Sequence, residues 1–450
     1  MKIPTQPPNY REDFLSSATT LAEAIARGHR LTYYKYLHWS DLRERKDQVP
    51  AGITLAEWWA AHRFVRAESA RELPLQDNEG SPFNYNVPPE LEEALHLFDR
   101  ASLPRLAKLA DTAHMATVHA SWPEVFAEEA ISSSRLEGAS TTTERAIEMI
   151  RTGRAPLDQS ERMIYDNFSA LKWVDQNFRR APTPELVMQL HSAIVRESGQ
   201  QGTGGRFRRA DGDEGEIGVY DNSTNECIHR PPHASELPER LAKLCAFAAG
   251  SHTDTFLHPV IRAFVAHFMV GFDHPFVDGN GRTARALFYW VMLRSDYTFV
   301  RSLSISEVLQ QAPVQYVRSY LLSENDGGDL TYFLLYQAKV LRRAIEEELE
   351  KQLPDQSAPV EAAQANLTLG LPTRQRSVMQ RALAESEMRM TVAEHQETHQ
   401  ITRKTAQADL DNLVQLGLLH RYKEGKAFVY TPPSSFTAAL KLQRPKSPLT

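Results

Sequence analysis

The chain has 450 residues, and 51 Lys+Arg against 57 Asp+Glu give a formal net charge of −6. Hydrophobic residues make up 42 % and charged residues 24 %, which excludes a largely disordered, collagen-like or disulfide-rich chain. Two cysteines, Cys227 and Cys245, suit a reducing compartment, and the mild acidity argues against whole-chain binding of nucleic acid or an anionic membrane. The amino terminus has no apolar signal-like core. The longest apolar run, Ala286–Leu293, falls far short of the roughly 18 residues of a membrane span. A soluble cytoplasmic protein with no membrane partner is expected.

In chain order, Asp13–Gly28 and Leu55–Arg66 have helical apolar spacing, and the Pro, Asn and Gly of Gln76–Pro88 indicate loop. The aromatic stretch Leu31–Trp39 is read as core packing, and residues 1–100 as an accessory region. Helix-length periodicity then recurs at Leu91–Arg100, Leu103–His119, Trp122–Ser134, Thr142–Arg151, Arg162–Arg179, Thr183–Glu197, Ser235–Ala249, His258–Phe272, Arg282–Ser295, Ile305–Glu324 and Asp329–Gln352. Ser235 ahead of Glu236-Leu237-Pro238 predicts a capped start, and Pro184 after Thr183 suits a first helical turn. The exception is Gly202–Pro232, rich in Gly and Asp, with a β-like patch at Ile217–Tyr220. Residues 101–353 therefore form a helical core, followed by a linker at 354–372. Residues 373–435 follow the order helix, helix, helix, hairpin of a winged helix, with a tail at 436–450. Residues 371–450 hold 12 Lys/Arg and 7 Asp/Glu, a balance of +5 on a body of −11.

The chemistry is concentrated in His274-Pro275-Phe276-Val277-Asp278-Gly279-Asn280-Gly281-Arg282-Thr283-Ala284-Arg285, a loop between two apolar helices. A helix N-terminus with glycines is an anion site, because unpaired N–H groups and the helix dipole face the ligand. Gly279, Asn280 and Gly281 form that cradle. Arg282 and Arg285, three apart on the first turn, are expected to share a face and clamp further phosphate oxygens. Asp278 is a hard oxygen ligand for Mg²⁺. His274 titrates near neutrality and can act as a general base. Phe276, within the binding loop, reads as its apolar anchor. The parts are those of a phosphoryl- or nucleotidyl-transfer site.

This segment resembles the signature of Fic-domain proteins, His-Pro-Phe-x-Asp/Glu-Gly-Asn-Gly-Arg-x-x-Arg, at every fixed position. Gly205-Arg206-Phe207-Arg208, Pro231-Pro232, His258-Pro259-Val260, His267, Asn167 and His191 extend the resemblance over roughly residues 120–345. Asp273 departs from it: the family more often has an apolar residue there, and a carboxylate beside His274 either raises its pKa or faces solvent. The resemblance implies a mainly α fold: a Fic-type helical core with a short β-hairpin flap, an N-terminal accessory region and a C-terminal winged helix. It implies transfer of AMP from ATP, with Mg²⁺, to a Ser, Thr or Tyr hydroxyl of a target protein docked at the flap, residues 215–230. His274 would be the base, Asp278 the metal ligand, and Phe276, Gly279, Asn280, Gly281, Arg282 and Arg285 the nucleotide-binding residues. Alternatives within the chemistry are removal of AMP and transfer of another phosphate-containing group. From another class comes a nucleotide-sensing transcriptional regulator.

Ser133-Ser134-Arg135-Leu136-Glu137-Gly138 resembles the family's inhibitory motif, on a helix near 122–138. In this reading Ser133, Glu137 and Gly138 form a brake, with Glu137 paired to Arg285. In the winged helix, Thr402, Arg403, Lys404, Thr405 and Gln407 begin the recognition helix, and Arg421, Lys423 and Lys426 lie in the wing. DNA and protein are equally open partners for it, since Asp409 and Asp411 would face phosphate unfavourably. A homodimer is compatible with the sequence. His252, His258 and His267 read as core or capping residues, and His395 and His399 as surface residues of the winged helix, none of them as a metal ligand.

Overall fold

The structure, a computed structural model, describes residues 3–12, 18–19, 22, 36–45, 49–109, 115–199, 202–209, 218–220, 224–251, 255–352, 371–384, 388–424 and 427–432. Most of the predicted helix 13–28, the linker 354–370, the tail 436–450, His252, Lys426 and parts of 215–230 lie outside the described residues. The chain divides into two compact units, Met1–Glu348 and Leu349–Thr450.

The first unit is mainly α, as the composition and periodicity predict. After a single turn, α1 (Trp39–Leu42), comes α2 (Leu55–Ser69). Thr54 and Glu57 close a capping box that satisfies two amides at the start of α2. Next is a hairpin that the sequence reading took for loop: β1 (Arg71–Gln76) pairs antiparallel with β2 (Pro82–Tyr85). Asp77 Oδ1 accepts from the Glu79 and Ser81 amides at 2.9 and 2.8 Å, which makes the turn. Leu73 and Leu75 alternate inward along β1.

The helices that follow are α3 (Pro89–Leu109), α4 (Met115–Leu136), α5 (Thr143–Thr152), α6 (Gln159–Asn177) and α7 (Pro184–Ile194). The predicted helix Leu103–His119 is not one element. Its first part belongs to α3, its last to α4, and residues 110–114 lie outside the described set. Thr142, Asp158 and Thr183 cap α5, α6 and α7 with their side chains. A small hairpin, β3 (Val219–Tyr220) with β4 (Cys227–His229), precedes α8 (Leu237–Ala249). Ser235 does not cap α8. It sits in a 3₁₀ turn, Ala234–Glu236, capped by His233, and Glu236 makes no side-chain cap bond.

At the centre lie α9 (Pro259–Asp273) and α10 (Asn280–Arg294), buried on nearly every side. Helices apolar all round belong in a core. Phe264 stacks on Phe288 at 5.6 Å, and Trp290, Leu287 and Phe268 are fully buried. Each such side chain contributes about 1.5–3 kcal/mol by leaving water. Leu73, Phe83, Leu91 and Phe98 belong to the same buried cluster. The predicted helix Ile305–Glu324 is two, α11 (Ile305–Gln311) and α12 (Pro313–Asn325). Ala312 has φ −142° and ψ 58°, because a residue before proline is steered away from helical geometry. The long α13 (Thr331–Gln352) follows.

The second unit contains α14 (Thr373–Ala384), β5 (Met390–Thr391), α15 (Val392–His399), α16 (Arg403–Gln415), β6 (His420–Glu424) and β7 (Ala427–Thr431). The strand order is β5-β7-β6, so the predicted hairpin gains a third strand that the sequence reading missed. Val378, Met379, Leu410, Leu413 and Tyr430 form a separate core. No helix among the described residues is long and apolar enough to cross a membrane.

Candidate active site

The candidate site is built where α9 ends and α10 begins. His274 caps α9 with φ 44° and ψ 56°, a left-handed conformation that is strained for a residue with a Cβ. Arg208 holds this bend: its Nε donates to His274 O at 3.0 Å and its amide to Pro275 O at 3.0 Å. Phe276 is fully buried and stacks on His191, ring centroids 3.6 Å apart. It anchors the loop from inside and presents nothing to a ligand. His191 Nδ1 accepts from the Gly205 amide at 3.1 Å, so Nε2 carries the proton toward Asp278 O at 2.9 Å. Asn280 closes the loop through bonds to the Phe276 amide and carbonyl at 2.9 and 2.8 Å.

The anion cradle follows from the start of α10. Gly279 precedes it with φ 78°, and no side chain caps the helix. The first-turn amides therefore lack the usual side-chain acceptor, which is the condition for binding an anion there. A Cβ at Gly279 would lie 2.9 Å from Val195 Cγ1. The half-exposed Asp278 accepts from the Gly279 amide at 2.6 Å through Oδ1 and from Arg282 Nη2 at 3.2 Å through Oδ2.

The two arginines do not share a face, contrary to the sequence expectation. Arg282 is fully buried and donates to Ile194 O at 3.0 Å, Ser198 Oγ at 3.3 Å and Asp278. It ties α10 to α7. Arg285 turns toward α4: Nε donates to Ser133 Oγ at 2.8 Å, and Nη2 to Ser133 O at 2.9 Å and Glu137 Oε1 at 2.8 Å. Gly138 ends that segment with φ 97°. The Glu137 carboxylate lies so close over Gly281 that any Cβ there would overlap it. Ser133, Glu137, Gly281 and Arg285 thus meet at one point.

Burial pushes the His274 imidazole down to about 4, and the charges of His229 and Arg208 add to this; Gly271 O and Glu137 oppose it. His274 is therefore neutral at pH 7. Its Nδ1 faces Gly271 O at 3.4 Å, which favours the tautomer with a lone pair on Nε2. Asp273 does not face solvent: it is buried, bonded to Arg240 Nε at 2.8 Å, and pushed up to about 6 by burial.

Among the described residues no cluster of three His, Cys, Asp or Glu could hold a metal ion. His258 caps α9, and His267 is buried against Tyr316 OH at 2.7 Å. His395, expected on the surface of the winged helix, is instead buried, because its ring packs beside the buried Asp409. Sequence reasoning assigned no role to His191 or Arg208, although both stood in the quoted resemblance. It missed Glu129, a buried carboxylate on α4 bonded to Ser304 Oγ and the Ser306 amide, each at 3.0 Å, and to Ser306 Oγ. On an amphipathic helix such a residue reads as solvated surface.

Residues 181–292 match the Fic/DOC family. The chain is 30 % identical over 135 residues to the protein adenylyltransferase Fic of Drosophila melanogaster, covering 30 % of this chain and 23 % of that protein. It is 22 % identical over 231 residues to the protein adenylyltransferase Fic of Nematostella vectensis, covering 50 % and 48 %. The matched part is thus under half of either relative. A Fic family protein from Desulfovibrio desulfuricans has a similar fold, with TM-score 0.52 and 18 % identity, covering 78 % of this chain and 98 % of that one. The core is a mainly α Fic core.

Proposed function

We propose that this chain is a protein adenylyltransferase that moves AMP from ATP to a Ser, Thr or Tyr hydroxyl of a target protein and is restrained by Glu137. The observation that carries the reading is a neutral His274 beside a helix N-terminus with no side-chain cap. His274 Nε2 takes the hydroxyl proton. The oxygen attacks the α-phosphorus, the bond to the β-phosphate oxygen breaks, and diphosphate leaves while the proton stays on His274. The α10 amides stabilise charge on the phosphates. Asp278 offers one half-exposed carboxylate, which fits a Mg²⁺ ion that takes its remaining ligands from phosphates and water. Bound there, the metal would neutralise charge on the departing diphosphate.

Glu137, itself about one-third exposed, is paired with the buried Arg285, the cation suited to the terminal phosphate. While the pair holds, ATP meets a carboxylate where it needs a guanidinium. The hairpin β3–β4 is read as the docking edge for the target segment.

The test uses ATP labelled on its α-phosphate, with Mg²⁺, on the full chain. Label on protein is expected with Glu137→Gly, little with wild type and none with His274→Ala. Transfer that survives His274→Ala removes the base. No transfer by any variant removes the reading.

A second reading concerns residues 371–432, which we read as a winged helix that contacts DNA. Asp409 does not face outward: it is buried and bonded to Arg374 and Gln375 at 2.8 and 3.1 Å. Arg403 and Lys404 remain exposed at the start of α16. A gel shift on the full chain across a salt series tests it, and absence of binding at low salt ends it.

A further inference from the structure

The last turn of α9 offers three consecutive groups to three cations from three segments. His229 of β4 lies with Nε2 2.7 Å from Phe272 O. Arg240 of α8 donates to Asp273 Oδ1 at 2.8 Å. Arg208 donates to His274 O at 3.0 Å. Carbonyls at a helix C-terminus lack intrahelical partners, and the dipole there favours positive charge.

His229 differs from the two arginines because its charge is conditional. Its Nδ1 lies 2.8 Å from Glu324 Oε2 on α12. A carbonyl and a carboxylate both accept, so both ring nitrogens donate, and only the imidazolium can do that. The ring is 8 % exposed. Burial opposes its charge, but Glu324, Phe272 O and Asp273 together raise the pKa above the ordinary histidine value. The hairpin carrying His229 is thereby fastened to the helix end that presents His274.

We propose that His229, charged and held by Glu324, is a positioning residue that locks the β3–β4 hairpin to the end of α9 and sets the placement and basicity of His274. This rests on the reading of His274 as the base. The groups facing His274 are Gly271 O and Glu137, which favour its protonation, and His229 and Arg208, which disfavour it. The groups facing His229 are Glu324, Asp273 and Phe272 O. Removal of the His229 charge makes His274 easier to protonate and loosens its support.

The experiment compares His229→Gln and Glu324→Gln in full-length Glu137→Gly protein. Glutamine at 229 can still donate one bond but carries no charge. The kcat for AMP transfer is expected to fall about tenfold or more, as small misplacements of a reacting group do. KM for ATP should stay within about twofold, and the acid limb of the rate profile should move to higher pH. Glu324→Gln should act in the same direction and tests the pair even if His229→Gln does not fold. A merely structural role would lower thermal stability without moving the acid limb. An unmoved limb with kcat intact overturns the proposal.

A second readout needs no activity. In histidine-labelled protein, NMR should find His229 doubly protonated at pH 7, and His274 titrating higher in His229→Gln than in the parent. A neutral His229 at pH 7 overturns the proposal. Absence of AMP transfer in Glu137→Gly itself would instead end the adenylyltransferase reading, with the coupling still decided by the two titrations.

Discussion

Arg285 and Glu137 form an ion pair at 2.8 Å in which the arginine side chain is 2 % exposed and the carboxylate 32 %. The asymmetry identifies Glu137 as the replaceable partner. Behind it, Ser133 keeps two bonds to the guanidinium. Glu129 and Ser133 lie one turn apart on one face of α4, and Glu137 follows in the turn just past its end. Glu129 pins that helix to the start of α11 through Ser304 and Ser306. The arm that carries Glu137 is therefore anchored two turns upstream.

Removing the carboxylate leaves a buried cation short of one partner. We expect Glu137→Ala to lose about 1–3 kcal/mol of stability, at the lower end because the pair is partly solvated. A triphosphate can supply the missing charge. The Tm rise on adding ATP should accordingly be larger in Glu137→Ala than in wild type, measured by thermal melts at matched nucleotide. An equal rise in both would separate Glu137 from the nucleotide site.

The pH profile follows from His274, pushed down to about 4 mainly by burial. A base must be deprotonated, so kcat/KM in Glu137→Gly should be flat from about pH 8 to 5 and fall about tenfold per unit below 4. Stability has its own acid limb. Burial pushes His191 to about 4, and His38 and His267 to about 3. Their folded pKa values lie below the unfolded one, so their contribution is complete above about 6.5 and is lost as pH falls toward 4. Asp273 and Asp326, pushed up to about 6, hold protons the unfolded chain releases and oppose this. Glu129, Asp166 and His229, also raised, oppose it as well, but His274, His395 and the arginine-bonded Glu161, all lowered, act with the three histidines, and the net is a loss toward acid. Denaturation midpoints between pH 7 and 4.5 check the sign, and rising midpoints would contradict it.

The loop from His274 to Arg285 was legible in the sequence because the roles proposed for it need particular residue types at fixed spacing. His274, Asp278, the glycines and Arg285 lie together as that spacing implies. Arg282 was misread because helical spacing of three gives a shared face only when both side chains leave the helix in the same direction. A buried carbonyl at Ile194 draws Arg282 the other way. The β1–β2 hairpin was hidden by its turn, since Asp77-Asn78-Glu79-Gly80 reads as loop unless the alternation of Leu73 and Leu75 is weighed with it. The break at Ala312 was readable from Pro313 alone. Glu129, Asp273 and His229 were illegible in kind: a charged residue in a mainly apolar helix or strand does not announce the buried partner it meets.

The two left-handed glycines of the site should differ sharply on substitution. Gly279→Ala meets Val195 Cγ1 at 2.9 Å in addition to its φ of 78°. Gly138→Ala has φ 97° but nothing within 4 Å of the new Cβ. Left-handed backbone alone costs about 1–2 kcal/mol. Gly138→Ala should therefore lose that amount in urea unfolding, while Gly279→Ala should lose clearly more and disturb the cradle. Equal losses would mean that the loop shifts freely around Val195.

Arg282 and Arg285 provide the sharpest separation of support from binding. Arg282→Ala removes donors to Ile194 O, Ser198 Oγ and Asp278, and leaves Ile194 O with only the long 3.4 Å bond from Ser198 Oγ. A buried acceptor with no donor costs about 1–3 kcal/mol and a poorly bonded one part of that, and the vacated volume adds to it. Arg282→Ala should therefore lower Tm strongly and reduce transfer only through misplacement of the loop. Arg285→Ala, made in Glu137→Gly so that no carboxylate is stranded, should leave Tm less affected and raise the KM for ATP. ATP binding by calorimetry together with urea unfolding of both variants decides. If Arg282→Ala weakens ATP binding more than Arg285→Ala at equal stability, the roles assigned to the two arginines are reversed.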